Sequence, residues 1–438
     1  MSSEWSQVKL GNLVNIKHGF AFKGEFFSDT QTSFQLTTPG NFAIGGGFQA
    51  GKGKFYSGPV PEDYVLKTGD LLVTMTDLSK AADTLGYAAV VPNSLGTTWL
   101  HNQRVGLISI KPDASINQGF VHYLMRSPEY RHWVVSTASG STVKHTSPGR
   151  ICEFEFSLPP IKYQHFVAEM LGALDDRITL LRETNTTLEA IAQALFKSWF
   201  VDYDPVHSKM QGRAPEGMDQ ATAALFPDSF EEPELGAVPK GWQVKSLDAV
   251  ASFLNGLALQ KFPPTGDNDL PVIKIAQLRK GDTVGSDLAS RSIKPEYVIQ
   301  NGDVLFSWSG SLEVEIWCGG EGALNQHLFK VTSDVFPKWF YFLWTRHHLE
   351  HFRQVAASKA TTMGHIQRTH LTGAKVVVPS DGVLNAADSV LEPIMQRVIE
   401  NSLQAYNLAA LRDTLLPRLI SGQLRLPDEE SLTVEAVA

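Results

Sequence analysis

Between Ile161 and Phe200 the apolar positions return at alternating steps of four and three: Val167, Leu171, Leu174, Ile178, Leu181, Asn185, Leu188, Ala192, Leu195 and Trp199. This is the 3.5-residue period of a coiled coil, and after Gly172 no Gly or Pro interrupts it. About forty residues at ~1.5 Å each predict a rod of roughly 60 Å, whose seam needs a partner helix. A second seam lies 220 residues further on: Ala387, Leu391, Ile394, Val398, Asn401, Ala405, Leu408, Arg412, Leu415 and Leu419. The fit weakens at Arg412, where Leu411 is expected to take the inward place. An antiparallel two-helix rod is the simplest pairing; core helices of two unrelated domains are the plainer alternative.

The stretches before each seam are written twice. Trp5-Ser-Gln-Val8-Lys9-Leu10 returns as Trp242-Gln-Val244-Lys245-Ser-Leu247, and His18-Gly19-Phe20 as Asn255-Gly256-Leu257. Tyr64–Leu72 returns as Tyr297–Leu305, Asn102-Gln103 as Asn325-Gln326, and His145, fourteen residues before Pro159, as His365, fourteen before Pro379. Each half mixes β-rich runs after Gly turns (Asp70–Thr74, Asp303–Ser307) with amphipathic helices over Phe120–Trp133 and Lys338–Phe352. Phe154–Leu158 and Val376–Val378 read as closing strands. The expected architecture is α+β: two similar domains, 1–158 and 241–380, separated by helices over 159–200 and 381–424 paired as a long antiparallel coiled coil with a pseudo-two-fold. An acidic, Pro-containing linker (201–240), expected to be partly ordered around Phe226, Phe230 and Trp242, and an acidic tail (425–438) complete the chain.

Composition changes this picture little. At 438 residues there is room for several cores. The two cysteines, Cys152 and Cys318, suggest neither a disulfide framework nor a Cys-based zinc site. No leader-like start and no membrane-length apolar run is evident, so a cytoplasmic protein without a membrane partner is expected. The net charge of −8 argues against nucleic acid until it is located. Residues 1–158 hold 13 Lys/Arg against 12 Asp/Glu and 241–380 hold 14 against 12, whereas 201–240 hold 3 against 8 and 381–438 hold 4 against 9. The acid belongs to linker and tail, which permits DNA binding by the two halves.

Catalytic signatures fail one by one. Gly46–Lys52 fits the start of a phosphate-binding loop, but Gly53 replaces the Mg²⁺-binding Ser/Thr, and Pro59 and Pro61 fall where a helix should follow. A Gly-rich hairpin or a DNA-facing loop is the better reading. His347-His348-Leu-Glu-His351 has a metal-ligand spacing but no third ligand, and reads as a polar helix face. The Pro-Pro pairs at Pro159-Pro160 and Pro263-Pro264 lack the Asn/Asp and aromatic neighbours with which an adenine methyltransferase grips a flipped base. No catalytic, cofactor or metal residue is therefore expected.

What remains are contact residues, basic or amide side chains set beside glycines and aromatics. In the first half these are Lys52, Lys54, Lys80, Asn102, Gln103, Arg104, Lys144, His145 and Arg150. In the second they are Arg279, Lys280, Arg291, Asn325, Gln326, His327, Lys359, His365 and Arg368. Such groups reach base edges or phosphates; each is equally at home on a solvated surface, and the two Asn-Gln pairs are as readily turn formers.

The run Leu158-Pro-Pro-Ile-Lys-Tyr-Gln164, followed by LGALDDRI, TLEAIAQALFKSWFVDYDPV, LFPDSF, ELGAVPKGW and LLPRLISGQL, resembles the specificity subunit of type I restriction–modification systems. The likeness covers nearly the whole chain. It is dense in the helices and linker and diffuse in the two halves. Departures are Arg412 in the second seam and a second helix entered through residues 380–389 without a Leu-Pro-Pro start. The resemblance implies a non-enzymatic subunit whose two target recognition domains each read one half of a bipartite, asymmetric site in double-stranded DNA. Two methyltransferase subunits and motor–nuclease (restriction) subunits are the implied partners, and S-adenosylmethionine, ATP and Mg²⁺ belong to them. The rivals are a fused methyltransferase or nucleotide hydrolase, and a coiled-coil scaffold that reads no sequence.

Overall fold

The computed structural model describes residues 5–52, 54–79, 82–93, 96–232, 236–358 and 364–424. The chain forms two compact units, Met1–Asp176 with Ala409–Ala438, and Arg177–Leu408. Among the described residues no helix is long and apolar enough to cross a membrane.

In the first unit, Val14–His18, Val105–Ile110, Leu71–Thr74 and Ala88–Val90 make an antiparallel sheet in that order. A second sheet runs Phe27–Ser28, Lys54–Tyr56, Phe34–Leu36, Thr98–Leu100, its last two strands parallel. Ser6–Lys9 pairs with Glu155–Leu158, the expected closing strand. The helix expected over Phe120–Trp133 is two, Gln118–Leu124 and Pro128–Ser136. Pro128 lacks the N–H that an interior position needs, so the chain breaks and restarts with Ser127 as cap and proline in the first turn.

The second unit repeats the plan. Ser252–Asn255, Leu328–Thr332, Val304–Ser307 and Val314–Ile316 form the antiparallel sheet. Leu270–Ile273 and Gly322–Leu324 are the parallel pair of the other sheet, and Gln243–Ser246 pairs with Lys375–Val378. Its principal helix is Lys338–Ser358. The described residues of 201–240 are ordered around Phe226, Phe230 and Trp242, as expected. They hold the helices Asp204–Met210 and Gln220–Leu225, and Val206, Phe226 and Val238 join Phe200 and Trp242 in the core of this unit. The tail expected over 425–438 lies outside the described residues.

The helices run Ile161–Phe196 and Asp381–Ile420. In the first unit Tyr163 Oη donates to the Leu419 carbonyl (2.9 Å), and Val167 and Leu171 share a core with Leu416 and Leu419. In the second, Asn185 Nδ2 donates to the Val398 carbonyl and Ser402 Oγ, both at 2.9 Å, and Asn401 Nδ2 donates to Asn185 Oδ1 at 2.9 Å. Ascending positions on one helix meet descending positions on the other in both units, so the pairing is antiparallel. Ile178, Leu181, Leu391 and Val398 are buried as the seam requires, and Leu174, Leu188, Leu195, Ile394, Leu408 and Leu415 half-buried. One position departs from expectation: Leu411 is 48% exposed, and Arg412 turns inward because a carboxylate, Asp175, awaits it at 2.6 Å.

Candidate nucleic-acid interface

Both units build the same corner. Lys67–Asp70 and Gln300–Asp303 are tight turns. Gly69 and Gly302 take left-handed φ of 89° and 90°, and the Asp70 and Asp303 carboxylates accept the Lys67 and Gln300 amide N–H at 2.8 Å. From each turn a fully buried strand runs to Met75-Thr76 in one unit, both buried, and to half-buried Trp308 and buried Ser309 in the other.

The turn Asn102–Arg104, like Asn325–His327, lies alongside. The Val105 and Leu328 amides donate to the carbonyls of Asn102 (3.0 Å) and Asn325 (2.9 Å), and the Gln103 and Gln326 amides to those of Phe20 and Leu257 (both 2.9 Å). A Cβ on Gly19 would fall 2.0 Å from the Asn102 carbonyl oxygen, and one on Gly256 2.2 Å from that of Asn325. Only glycine admits so close a backbone. The two Asn residues are therefore turn formers, and Asn325 is buried with its Oδ1 accepting the His327 amide at 3.2 Å.

A strap closes the corner. His145 pairs with Thr76 and His365 bridges to Ser309. The following amides, Thr146 and Ile366, donate to the carbonyls of Met75 and Trp308 at 3.0 Å. Four segments thus converge: the strand ends at His18 or Asn255, the Met75-Thr76 or Trp308-Ser309 end, the Gln103-Arg104 or Gln326-His327 turn, and the histidine strap. Backbone geometry is shared, as are the Asn-Gln pair and the strap histidine; the other side chains differ.

In the second unit the Trp308 indole N–H is shared between Asn255 Oδ1 (2.9 Å) and the Gln326 carbonyl (3.1 Å). Ser309 Oγ lies 2.9 Å from His327 Nδ1. Arg368 reaches the Phe253 carbonyl (3.1 Å) with its guanidinium over Phe329. In the first unit Met75 replaces the indole, Gln103 and Arg104 are exposed, and His145 Nδ1 lies 3.1 Å from Thr76 Oγ1. Beside them Asp77 is buried. Burial alone would raise its carboxyl, but N–H groups of Ser79 and Thr84 outweigh that and hold it below the usual range.

The corner gathers Asn102, Gln103, Arg104, Lys144 and His145 in one unit and Asn325, Gln326, His327, His365 and Arg368 in the other. It does not gather the rest. Lys54 lies over the Phe27 ring on the second sheet. Arg150 is exposed and donates to the Thr137 carbonyl at 2.7 Å. Arg279 faces Glu313 at 3.8 Å, Arg291 pairs with Glu321 at 2.6 Å, and Lys280 is exposed at the end of a short helix. Lys52 ends a short turn; Lys80 and Lys359 lie outside the described residues. The glycines of the phosphate-loop look-alike are an irregular turn: Gly45, Gly46 and Gly47 all have positive φ, Phe42 bridges to Phe48, and no long helix follows. No group of His, Cys, Asp or Glu suited to a metal occurs among the described residues. The sequence reading passed over His18, Asn255, Thr76, Trp308 and Ser309; aligning the two copies residue by residue around the repeated Gly-Asp turn would have found them.

A family model described as the type I restriction modification DNA specificity domain matches residues 2–190 and 239–400. The MjaIX specificity subunit of Methanocaldococcus jannaschii is 25% identical over 354 residues, 78% of this chain and 76% of that one. The HindI specificity subunit of Haemophilus influenzae is 24% identical over 371 residues, 72% and 79% of the respective chains. The crystal structure of a type I restriction–modification S subunit from M. genitalium superposes with a TM-score of 0.53 at 13% identity, covering 97% of both chains.

Proposed function

Since the chain belongs to the type I restriction–modification DNA specificity family, a non-catalytic DNA-recognition component, we propose that it reads a bipartite, asymmetric site, one half-site with each unit. A two-fold dimer reads a palindrome because symmetry repeats its contacts. Two unequal copies in one chain keep the repeated frame and let the half-sites differ. The supporting observation is the corner itself, where matching backbone hydrogen bonds carry His18 and Arg104 in one unit and Asn255 and His327 in the other. Charged or amide groups on a rigid frame are what reading base edges requires.

The chemistry then resides in partners: two methyltransferase subunits, joined by restriction–translocase subunits, bring S-adenosylmethionine, ATP and Mg²⁺. The test replaces residues 241–380 by the matching domain of a sibling subunit, co-expresses the methyltransferase and sequences the methylated sites. One half of the site should change. Change in both halves, or in neither, would overturn the reading.

A further inference from the structure

The first unit contains a cluster of charge that DNA reading does not explain. Asp175, on the first long helix, accepts hydrogen bonds from Arg412 Nη1 of the second helix (2.6 Å), Arg126 Nη1 (2.6 Å) and Tyr123 Oη (2.9 Å) of the globular part. The Arg126 side chain is 2% exposed, that of Arg412 15% and that of Asp175 25%. Arg126 also donates through Nε to the Gly45 carbonyl at 2.7 Å and lies 3.2 Å from Nε2 of buried His122. Gly46 makes room for it: a Cβ there would fall 2.7 Å from the Arg126 side chain, at a φ of 90°. The Gly47 amide in turn donates to the Ala88 carbonyl (3.1 Å), on a strand of the central sheet. A continuous polar path thus joins the helix pair to that sheet.

Stability alone does not call for this arrangement, because a buried ionic triad can often be replaced by hydrocarbon without loss. At two of the three positions the second unit does so, while Arg346 keeps a half-buried ion pair to Glu189 at 3.0 Å. Asp175 corresponds to Met395 and Arg412 to Ala192, and both are buried in an apolar core. What charge adds is direction. An apolar seam tolerates a shifted packing at modest cost, whereas displaced charges would be left buried and unpaired.

We propose that Asp175 is a positioning residue, fixing how the first recognition domain is mounted on its helix pair and so restricting the spacer length over which the two half-sites are methylated together. The proposal rests on the bipartite reading. Its test uses the complex with the methyltransferase and a library of DNA carrying the cognate half-sites at graded separations. The subunits are wild type, Asp175→Asn, Asp175→Glu, and an apolar triple, Arg126→Met with Asp175→Leu and Arg412→Met, which guards against a single variant that fails to fold. Wild type should favour one spacer. Asp175→Asn and the apolar triple should lose at least about tenfold of that discrimination, ~1.4 kcal/mol, with both half-site sequences unchanged, and Asp175→Glu should recover part of it. If folded apolar triple keeps the wild-type preference, or loses methylation equally at every length, Asp175 is only structural. A wild type indifferent to spacer length would instead sink the bipartite reading.

Discussion

At one depth of the helix pair the first unit holds Asp175 between Arg126 and Arg412; at the matching depth the second holds Met395 and Ala192, each 1% exposed. The second unit has its own helix-to-domain ion pair, Arg346 with Glu189 at 3.0 Å, but its side chains are 28% and 31% exposed. Two copies of one fold have therefore solved the same packing problem differently. The comparison separates what the fold requires, a filled seam, from what one copy adds, a directional anchor. It also predicts that equivalent-looking arginines are far from equivalent energetically.

The largest effect tests that point. Arg126→Ala takes the most buried partner from the Asp175 carboxylate, leaving Arg412 and Tyr123. It should cost the first unit about 3 kcal/mol, the low end for breaking a buried pair, whereas Arg346→Ala should cost the second no more than about 1 kcal/mol. Hydrogen exchange read separately over 118–176 and 300–358 would measure both. Equal losses would mean that the charge cluster is no more than a surface pair.

Next comes a change in which the units should agree. Gly19→Ala and Gly256→Ala each push a methyl into a backbone carbonyl and should each destabilise by about 3 kcal/mol, the upper end of what overpacking costs. A unit that tolerated its substitution would show that the corner is not one shared frame. Smaller still is Asn401→Ala, which removes a donor to Asn185 within a half-buried seam. A loss of about 1–3 kcal/mol is expected from the stranded amide, seen as a lower urea midpoint of the helices.

The helices, their polar seam residues and the repeat were legible because periodicity and order survive divergence. The inward turn of Arg412 was not, since it depends on Asp175, 237 residues away. Arg126, which completes the cluster, gives no periodic signal at all. Residues 201–240 looked like a linker because charge and proline dominate their composition; Phe226 and Phe230 marked where it orders, while Val206 and Val238, which also fix its place, are scattered. At the corner the basic and amide side chains were legible by type. Trp308 and Ser309 were not, because an indole N–H closing a hydrogen-bonded corner leaves no mark on sequence.

Acidity should act in opposite directions on two carboxyls, Asp175 of the first unit and Glu315 of the second, and this is the finest test of their difference. Burial raises the Asp175 carboxyl, but Arg126 and then Arg412 more than offset this, so its pKa lies below 3.8. A depressed carboxylate contributes stability that is present above 3.8 and lost as pH falls through its folded value. Glu315, in the second unit, lines a cavity of about 100 Å³ with Glu189, Cys318 and Met395. Burial, foremost, pushes its pKa from 4.5 up to about 7; Glu189 and Glu313 add to the rise, and Arg346 and Arg353 oppose it. A raised carboxyl contributes stability that is full below 4.5 and lost as pH climbs to about 7. Buried His101 and His122, held at about 4 and about 3 against an ordinary 6.5, should make the first unit more stable as pH rises from 4.5 to 6.5. In the second, Glu315 opposes the same gain from His348, held by burial at about 4, so the rise in its melting temperature should be shallower and Glu315→Gln should steepen it. Below pH 3.8 the first unit should weaken, and the apolar triple should weaken less than wild type. A slope identical in Glu315→Gln and wild type would place the proton elsewhere and leave the cavity without a part in the difference between the units.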